Sequence, residues 1–194
     1  SLGENRALID EHVARGGTAY VLNGEWIEEI SMGLVKRIVP AAELPCTVAG
    51  YADFQIANVM ATIAVCRAYG MSQKAIVSAL MNFDAGTHND GRLNTYAFGS
   101  SAVVLDYGHN PMAIQAIGRM LSRLGADRTT AVLGLPGDRA QHLIEMTAVT
   151  AAKHFDRLMI KYSKIKRSVE GINNKMLEEL RRLKEFFVLR HKIP

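Results

Sequence analysis

Three short apolar segments constrain the fold of this 194-residue chain more than any other feature. They occupy residues 102–105, 130–133 and 157–160, and apolar residues at helical spacing fill 111–124 and about 139–152 between them. Strand, turn and helix repeated in this order are typical of βαβ units, whose strands form a parallel sheet. The second half of the chain is therefore predicted to be an α/β domain with a mostly parallel sheet.

Polar turns follow the first two of these strands, at residues 106–111 and 134–139. Parallel strands end at the same edge of a sheet, and the ligands of open α/β sheets bind beyond that edge. Both turns combine glycine with charged or amide side chains, which can bind a polar ligand. We therefore predict that the two turns together form the functional edge of the domain.

The first turn, Asp106-Tyr107-Gly-His109-Asn110-Pro111, offers a carboxylate, an imidazole and an amide. A carboxylate at a strand end can accept hydrogen bonds from ribose hydroxyls, and Asn110 or backbone amides can bind phosphate at the start of the following helix. Pro111 suits the first helical position. A purely structural interpretation stays open, in which Asn110 caps the helix and Asp106 braces the turn.

The second turn contains Asp138 and Arg139 in a glycine-rich loop. A guanidinium can bind phosphate or carboxylate through two parallel hydrogen bonds, but an exposed ion pair in a plain turn would use the same residues. The chain has no Gly-x-Gly-x-x-Gly dinucleotide motif, no Gly-x-x-x-x-Gly-Lys-Ser/Thr P-loop and no Cys/His metal spacing. We therefore predict no metal ligands in this chain.

The first half of the chain has a different order of predicted elements. It predicts a hairpin around Asn23-Gly24, a strand at 34–39, and helices at 5–15, 54–68 and 72–80. Residues 84–94 are polar and turn-rich, which favours a domain boundary there. We therefore predict two domains, an α+β portion at 1–88 and the α/β domain at 89–194.

Charge is uneven along the chain, whose net charge is +4. Residues 161–194 hold ten Lys or Arg and four Glu, whereas the rest of the chain is slightly acidic. A basic tail of this kind can bind an anionic polymer, or it can be the solvated face of a helix. Apolar residues at spacings of three and four over 169–187 predict an amphipathic helix. The near-neutral body argues against a nucleic-acid-binding domain.

The ordered motifs resemble a known family. Gly91-Arg92-Leu93-Asn94, the turn at 106–111 and Gly137-Asp138-Arg139 resemble the C-terminal domain of the Mur ligase superfamily. The hairpin at 18–27 and the helix start at 54–58 resemble the end of the central ATPase domain. Within the superfamily the series, from about residue 5 to Lys161, is most similar to the cyanophycin synthetases. The resemblance implies a Rossmann-like α/β domain of Mur ligase C-terminal type, preceded by an α+β portion of the central ATPase domain.

The resemblance also implies an activity, the ATP-dependent formation of an amide bond. In this superfamily, ATP converts a carboxylate into an acyl phosphate, which an incoming amine attacks. ATP and Mg²⁺ are the implied cofactors. The P-loop of the family, its Mg²⁺ ligands and its carbamylated lysine lie in segments absent from this sequence, so we expect the isolated chain to be inactive.

The same resemblance implies the site residues, each at the position of this sequence that matches a family motif. Those implied for nucleotide binding are Asn58 at the adenine, Arg92 between the domains, Asp106 at the ribose, and Tyr107 and Asn110 in the turn that faces the phosphates. Arg92 and His109 are the implied catalytic residues. Asp138 and Arg139 occupy the position that would hold the incoming amino acid.

Two departures from the family keep other functions open. Where the family continues with acidic residues after Gly-Asp-Arg, this chain has Ala140-Gln141-His142, and its tail diverges from about residue 162. One alternative is a stand-alone, non-catalytic module that binds an anionic polymer. The other is a ligase fragment of muropeptide or folate type.

The implied partners are a nucleotide, an amino-acid or peptide substrate, and the rest of the ligase or its other subunits, with a homo-oligomer left open. No segment approaches the roughly 20 apolar residues of a membrane helix. Residues 1–4 show no signal-peptide pattern. We therefore expect a cytoplasmic protein that has no membrane partner.

Overall fold

The computed structural model describes residues 5–134 and 140–160. The contacts divide the chain into two compact units, the first ending at Tyr107 and the second beginning at Gly108. The predicted site residues Asp138 and Arg139 and the predicted helix at 169–187 lie outside the described residues. The domain boundary after residue 88 stays a prediction.

The first unit combines helices with two small antiparallel sheets. Its elements are α1 (Arg6–Ala14), β1 (Thr18–Asn23), β2 (Trp26–Ser31), β3 (Leu34–Pro40), α2 (Asp53–Ala68), α3 (Gln73–Met81), α4 (Ala85–His88), β4 (Asn94–Phe98) and β5 (Ser101–Leu105), with the 3₁₀ turns Ala41–Glu43 and Pro45–Thr47 before α2. Strands β1, β2 and β3 form one sheet in that order, and β4 pairs with β5 in the other. This α+β arrangement is the one that the sequence predicts for the first half of the chain.

Local sequence signals account for several of these boundaries. Gly24 has a φ of +58° in the tight turn between β1 and β2, a left-handed conformation that glycine adopts without strain. Asn5 and Ser72 cap α1 and α3, since their side-chain oxygens accept hydrogen bonds from the backbone N–H groups of Leu8 and Ala75 at 3.4 and 3.2 Å. The predicted hairpin and the predicted helices of this region are confirmed.

Helices cover both faces of the three-stranded sheet. Ile27 of β2 packs with Ile56 of α2 in the larger core, whereas Val21 and Ile30 pack with Ile9 of α1 on the opposite face. Alternating side chains of a strand point to opposite faces, so one short sheet can contribute to both cores. Full burial of an aliphatic side chain stabilises a fold by about 1.5–3 kcal/mol, which makes these contacts the main support of the unit.

The β4-β5 hairpin differs from the prediction. The sequence predicts a boundary loop over 84–94 and a buried strand of the parallel sheet at 102–105, but β5 pairs antiparallel with β4. The predicted burial is also wrong, because Val103 and Leu105 are 54% and 52% exposed. The sequence signal for this hairpin is the run Thr95-Tyr96-Ala97-Phe98, which has residues common in strands, followed by Gly99. Gly99 has a φ of +58° and lies in the tight turn of the hairpin.

The described part of the second unit alternates helices with parallel strands. Its elements are α5 (Pro111–Arg123), β6 (Thr130–Leu133), α6 (Gln141–His154) and β7 (Arg157–Ile160). Strands β6 and β7 pair in parallel, and Ile114, Ile144 and Leu158 share one core. Both strands begin and end at the predicted residues.

The architecture is therefore mixed α/β with small sheets, which confirms the predicted fold class. Within the described residues, parallel pairing is confined to β6 and β7. None of the helices in residues 5–134 and 140–160 is long and apolar enough to cross a membrane.

Candidate functional site

Predicted site residues meet at the open end of the β4-β5 hairpin. Asn94 pairs with Leu105 in the hairpin register, so the loop before β4 and the turn after β5 run side by side. Tyr107 extends this pairing by donating its backbone N–H to the carbonyl of Gly91 at 2.8 Å. The antiparallel pairing thereby brings the Arg92 loop next to the turn that contains Tyr107.

Arg92 places its guanidinium over the ring of Tyr107, with Cζ 5.1 Å from the ring centroid. Both residues are exposed. The face of an aromatic ring attracts a cation without occupying its N–H donors. Within residues 5–134 and 140–160, the guanidinium forms no hydrogen bond or ion pair. Its N–H donors therefore remain for a ligand, and a guanidinium suits phosphate or carboxylate.

Asp106 joins this cluster from the end of β5. Its Oδ2 accepts a hydrogen bond from the backbone N–H of Leu93 at 2.9 Å, and the residue is half-buried. This contact confirms that Asp106 braces the turn. A carboxylate offers two oxygens and about four acceptor sites, so bracing and ribose binding are compatible. The ribose role of Asp106 stays a prediction.

His109 and Asn110 lie directly before α5, at the start of the second unit. Asn110 Oδ1 accepts a hydrogen bond from the backbone N–H of Ala113 at 2.9 Å, which confirms the predicted helix cap. Pro111 stands in the first helical turn, as predicted. His109 is half-buried. Contacts of His109 and Asn110 with phosphate stay predictions.

Asn58 lies on α2 and is exposed. Its side-chain amide donates a hydrogen bond to Gln55 Oε1 at 3.0 Å, about one helical turn earlier. Its adenine-binding role stays a prediction, as does the amino-acid site at Asp138 and Arg139. Among the residues that the structure describes, no group of three or more His, Cys, Asp or Glu side chains is arranged to hold a metal ion.

A second polar cluster in the first unit is absent from the sequence predictions. Tyr20 donates its hydroxyl hydrogen to Glu29 Oε2 at 2.8 Å, and Nε of Arg67 donates to the same oxygen at 3.1 Å. Arg67 also donates to the carbonyl of Met71 at 3.1 Å. These side chains line a cleft of about 630 Å³ between the sheet and α2. Glu29 thus accepts from both Tyr20 and Arg67, which joins the three side chains in one network.

Perturbed pKa values accompany this second cluster. Burial and the hydrogen bond to Glu29 raise the pKa of Tyr20 to about 12. Burial alone would raise the pKa of Glu29, but hydrogen bonds from Arg67 and Tyr20 and the Arg67 charge outweigh it, so the pKa lies below its ordinary value. No local pattern marks the cluster, because it depends on the pairing of Tyr20 with Glu29 across two strands.

Comparison with known proteins shows that both halves of the chain are similar to ligases. Residues 91–186, which include Arg92, Asp106 and Tyr107, match the family described as Mur ligase, glutamate ligase domain. Cyanophycin synthetases of Crocosphaera subtropica and Synechocystis sp. are each 30% identical to this chain, over 86% and 88% of its length. The chain spans about a fifth of these relatives, 19% and 20% of their lengths.

Two more distant proteins agree with this match. The UDP-N-acetylmuramoyl-L-alanyl-D-glutamate–2,6-diaminopimelate ligase of Geobacillus kaustophilus is 27% identical over 54% of this chain and 21% of its own length. The solved folylpolyglutamate synthase of Thermotoga maritima is 17% identical, with a TM-score of 0.53 over 93% of this chain and 43% of that one. The latter similarity concerns the fold alone. Residues 91–186 belong to the Mur ligase, glutamate ligase domain family, and the similarity to cyanophycin synthetases extends over most of the chain.

Proposed function

We propose that this chain is the C-terminal part of an ATP-dependent amide ligase of cyanophycin-synthetase type. Residues 1–88 then belong to the central ATPase domain and residues 89–194 to the C-terminal domain. The similarity to cyanophycin synthetases over most of the chain supports this proposal. The observation that carries it is the cluster of Arg92, Asp106 and Tyr107 at one end of a hairpin.

In the proposed reaction, a substrate carboxylate attacks the γ-phosphorus of ATP, which forms an acyl phosphate and releases ADP. An amine then attacks the acyl carbon, and phosphate leaves as the amide forms. Arg92 stabilises negative charge on the phosphates through its unoccupied donors. Asp106 accepts the ribose hydroxyls, and Tyr107 keeps the Arg92 side chain in place beside them.

The remaining roles follow the family positions. Asn58 binds the adenine, His109 and Asn110 face the phosphates, and Asp138 with Arg139 holds the incoming amino acid. Mg²⁺ would accompany the ATP phosphates, and its protein ligands are expected mainly in the part of the ligase that this sequence does not include. The sequence has no P-loop, so we expect the isolated chain to bind nucleotide without turning it over. The rest of the ligase is the proposed partner, in the cytoplasm where ATP is available.

An ATP titration of the 194-residue chain, followed by calorimetry and backbone NMR shifts, tests the proposal. We expect saturable binding with shifts at Arg92, Asp106 and Tyr107. Asp106→Asn keeps an oxygen for the N–H of Leu93 but removes the charge. A hydrogen bond to a charged group is worth roughly 1.5–3 kcal/mol, so ATP affinity should fall about tenfold to a hundredfold.

The matched control is Asp10→Asn, which removes an exposed carboxylate paired with Arg6 on α1. ATP affinity should not change in this variant. Absence of ATP binding by the unmodified chain would contradict the proposed function. An Asp106→Asn variant with unchanged ATP affinity and a lower melting temperature would restrict Asp106 to bracing its turn.

A ligase of muropeptide or folate type is the second candidate. The identity of 27% to the Geobacillus kaustophilus ligase favours it, but that match covers 54% of the chain against 86% for a cyanophycin synthetase. The resemblance to cyanophycin synthetases implies a peptide substrate that contains aspartate and arginine. Titration with such peptides, and separately with a UDP-linked muramoyl peptide, distinguishes the two candidates. Binding of the muramoyl peptide alone would favour the second candidate.

A further inference from the structure

Asn94, the first residue of β4, is a polar side chain that is only 3% exposed. Its three hydrogen bonds all go to backbone groups. Oδ1 accepts from the N–H of Gly91 at 2.6 Å, while Nδ2 donates to the carbonyls of Ala85 and Asn89 at 2.8 and 3.2 Å. One buried amide thus ties the Arg92 loop to both ends of α4.

The backbone around Arg92 is also held by other contacts. Its own N–H donates to the carbonyl of Asn89 at 3.2 Å. Leu93 donates to Asp106 at 2.9 Å and has a φ of +54°, a left-handed conformation that non-glycine residues rarely adopt. Such a conformation persists only where the surrounding contacts impose it. The left-handed conformation of Leu93 therefore depends on these hydrogen bonds and not on the preference of the residue.

We propose that Asn94 is a positioning residue for the nucleotide site: it holds the loop so that Arg92 stays over Tyr107, ready for an anionic ligand. This inference rests on the proposed function. A guanidinium that is already in place loses little conformational freedom on binding, which favours affinity. Only an amide serves this loop, because the site needs one acceptor and two donors from a single side chain.

Two substitutions separate the parts of this role. Asn94→Ala removes all three hydrogen bonds. Asn94→Asp keeps the acceptor for Gly91, but it removes both donors and places a carboxylate against the carbonyls of Ala85 and Asn89. The matched control is Asn82→Ala, which removes an exposed amide that donates to the carbonyl of Ser78 at the end of α3.

The first measurement needs no ligand. In the unmodified chain, the ring of Tyr107 should shift the Arg92 δ-proton resonances upfield. Asn94→Ala and Asn94→Asp should move these resonances to ordinary values, while Asn82→Ala leaves them unchanged. An upfield shift that persists in a folded Asn94 variant would overturn the proposal. Should Asn94→Ala not fold, Asn94→Asp decides the outcome in the same way.

The second measurement is a double-mutant cycle on ATP affinity. Asn94→Ala and Arg92→Ala should each weaken ATP binding by about tenfold, and the double variant should be no weaker than either alone. Losses that multiply to about a hundredfold would show that Asn94 acts independently of Arg92 and would overturn the proposal. If the unmodified chain binds no ATP, the proposed function fails, and the resonances of Arg92 still decide whether Asn94 positions that side chain.

Discussion

Arg67 and Arg92 each lie beside a tyrosine, yet their guanidinium groups have different surroundings. Arg67 donates to Glu29 and to the carbonyl of Met71, and its side chain is 32% exposed. Arg92 is exposed over the ring of Tyr107 and forms no hydrogen bond or ion pair in the part of the chain that the structure describes. The first guanidinium is occupied within the fold, and the second is available to a ligand.

The comparison indicates that a cleft lined by groups with perturbed pKa values need not be a ligand site. Both features often mark function, and here both occur at the Arg67 cluster. A polar network whose groups satisfy one another rigidifies a fold, whereas a binding site must keep donors for its ligand. We therefore propose that Arg67 serves stability and Arg92 serves binding, and three variants test this difference.

The largest effect is expected from Arg67→Ala. The variant leaves Glu29, whose side chain is 14% exposed, without its cationic partner. Breaking a buried ion pair costs about 3–5 kcal/mol, and the partial exposure of Arg67 lowers the expected loss to about 2 kcal/mol. Urea unfolding at pH 7 measures the free energy of unfolding. ATP affinity should stay within about twofold of the unmodified chain, since the two clusters share no residue.

The pH dependence tests the same ion pair. The pKa of Glu29 is lowered in the folded state, so the pair stabilises the protein above the unfolded pKa of about 4.3. That stability is lost as the pH falls through the folded pKa. The stability difference between the unmodified chain and Arg67→Ala should therefore shrink in acid. A difference that stays constant down to about pH 3 would indicate that Arg67 acts through packing of its aliphatic stem.

A smaller effect, on binding and not on stability, is expected from Arg92→Ala. ATP affinity should fall about tenfold because a charge-assisted contact to phosphate is lost. The free energy of unfolding should change by less than about 0.5 kcal/mol, since the side chain is exposed. Arg119→Ala, an exposed position on α5, is the control with the same change in charge. A stability loss as large as that of Arg67→Ala would remove the distinction between the two arginines.

The smallest effect is expected from Tyr20→Phe, which should cost about 1 kcal/mol at pH 7 through the lost hydrogen bond to Glu29. The pKa of Tyr20 is raised to about 12, first by burial and then by that hydrogen bond. The pKa of tyrosine in an unfolded chain is about 10. The stability that the hydroxyl contributes is therefore present below that pH and is lost as the pH rises through the folded pKa. Unfolding curves above about pH 10 should therefore converge. Parallel pH profiles would show that Tyr20 does not titrate as part of this cluster.

Elements that depend on neighbouring residues could be predicted from the sequence. The hairpin around Asn23-Gly24 and the cap at Asn110 are confirmed, and Ser72 caps α3 in a similar way, because each of these features depends on residues within a few positions of one another. The apolar runs of β6 and β7 likewise mark their strands. Asp106 braces its turn as well, but through the backbone N–H of Leu93, a partner 13 residues earlier that the sequence does not indicate.

Features that depend on strand pairing could not be predicted in this way. An apolar run such as 102–105 suits a buried parallel strand as well as an exposed antiparallel one, and only the pairing with β4 decides between them. Asn94 belongs to the Gly91-Arg92-Leu93-Asn94 motif, but the sequence does not indicate which groups its side chain contacts. Its burial and its bonds to Ala85 and Asn89 appear only once the loop is folded.

The sequence alone predicts most of the helices and strands, though not α4 and β4, and it indicates the resemblance to the Mur ligase superfamily, because spacing and short motifs are local properties of a chain. The tertiary structure is needed to show that, among the described residues, the guanidinium of Arg67 has hydrogen-bond partners and that of Arg92 has none. Arg67 meets Glu29 across 38 residues of sequence, and Leu93 meets Asp106 across 13. Contacts over such distances depend on strand register and helix docking, where many weak interactions act together, and no local pattern specifies them.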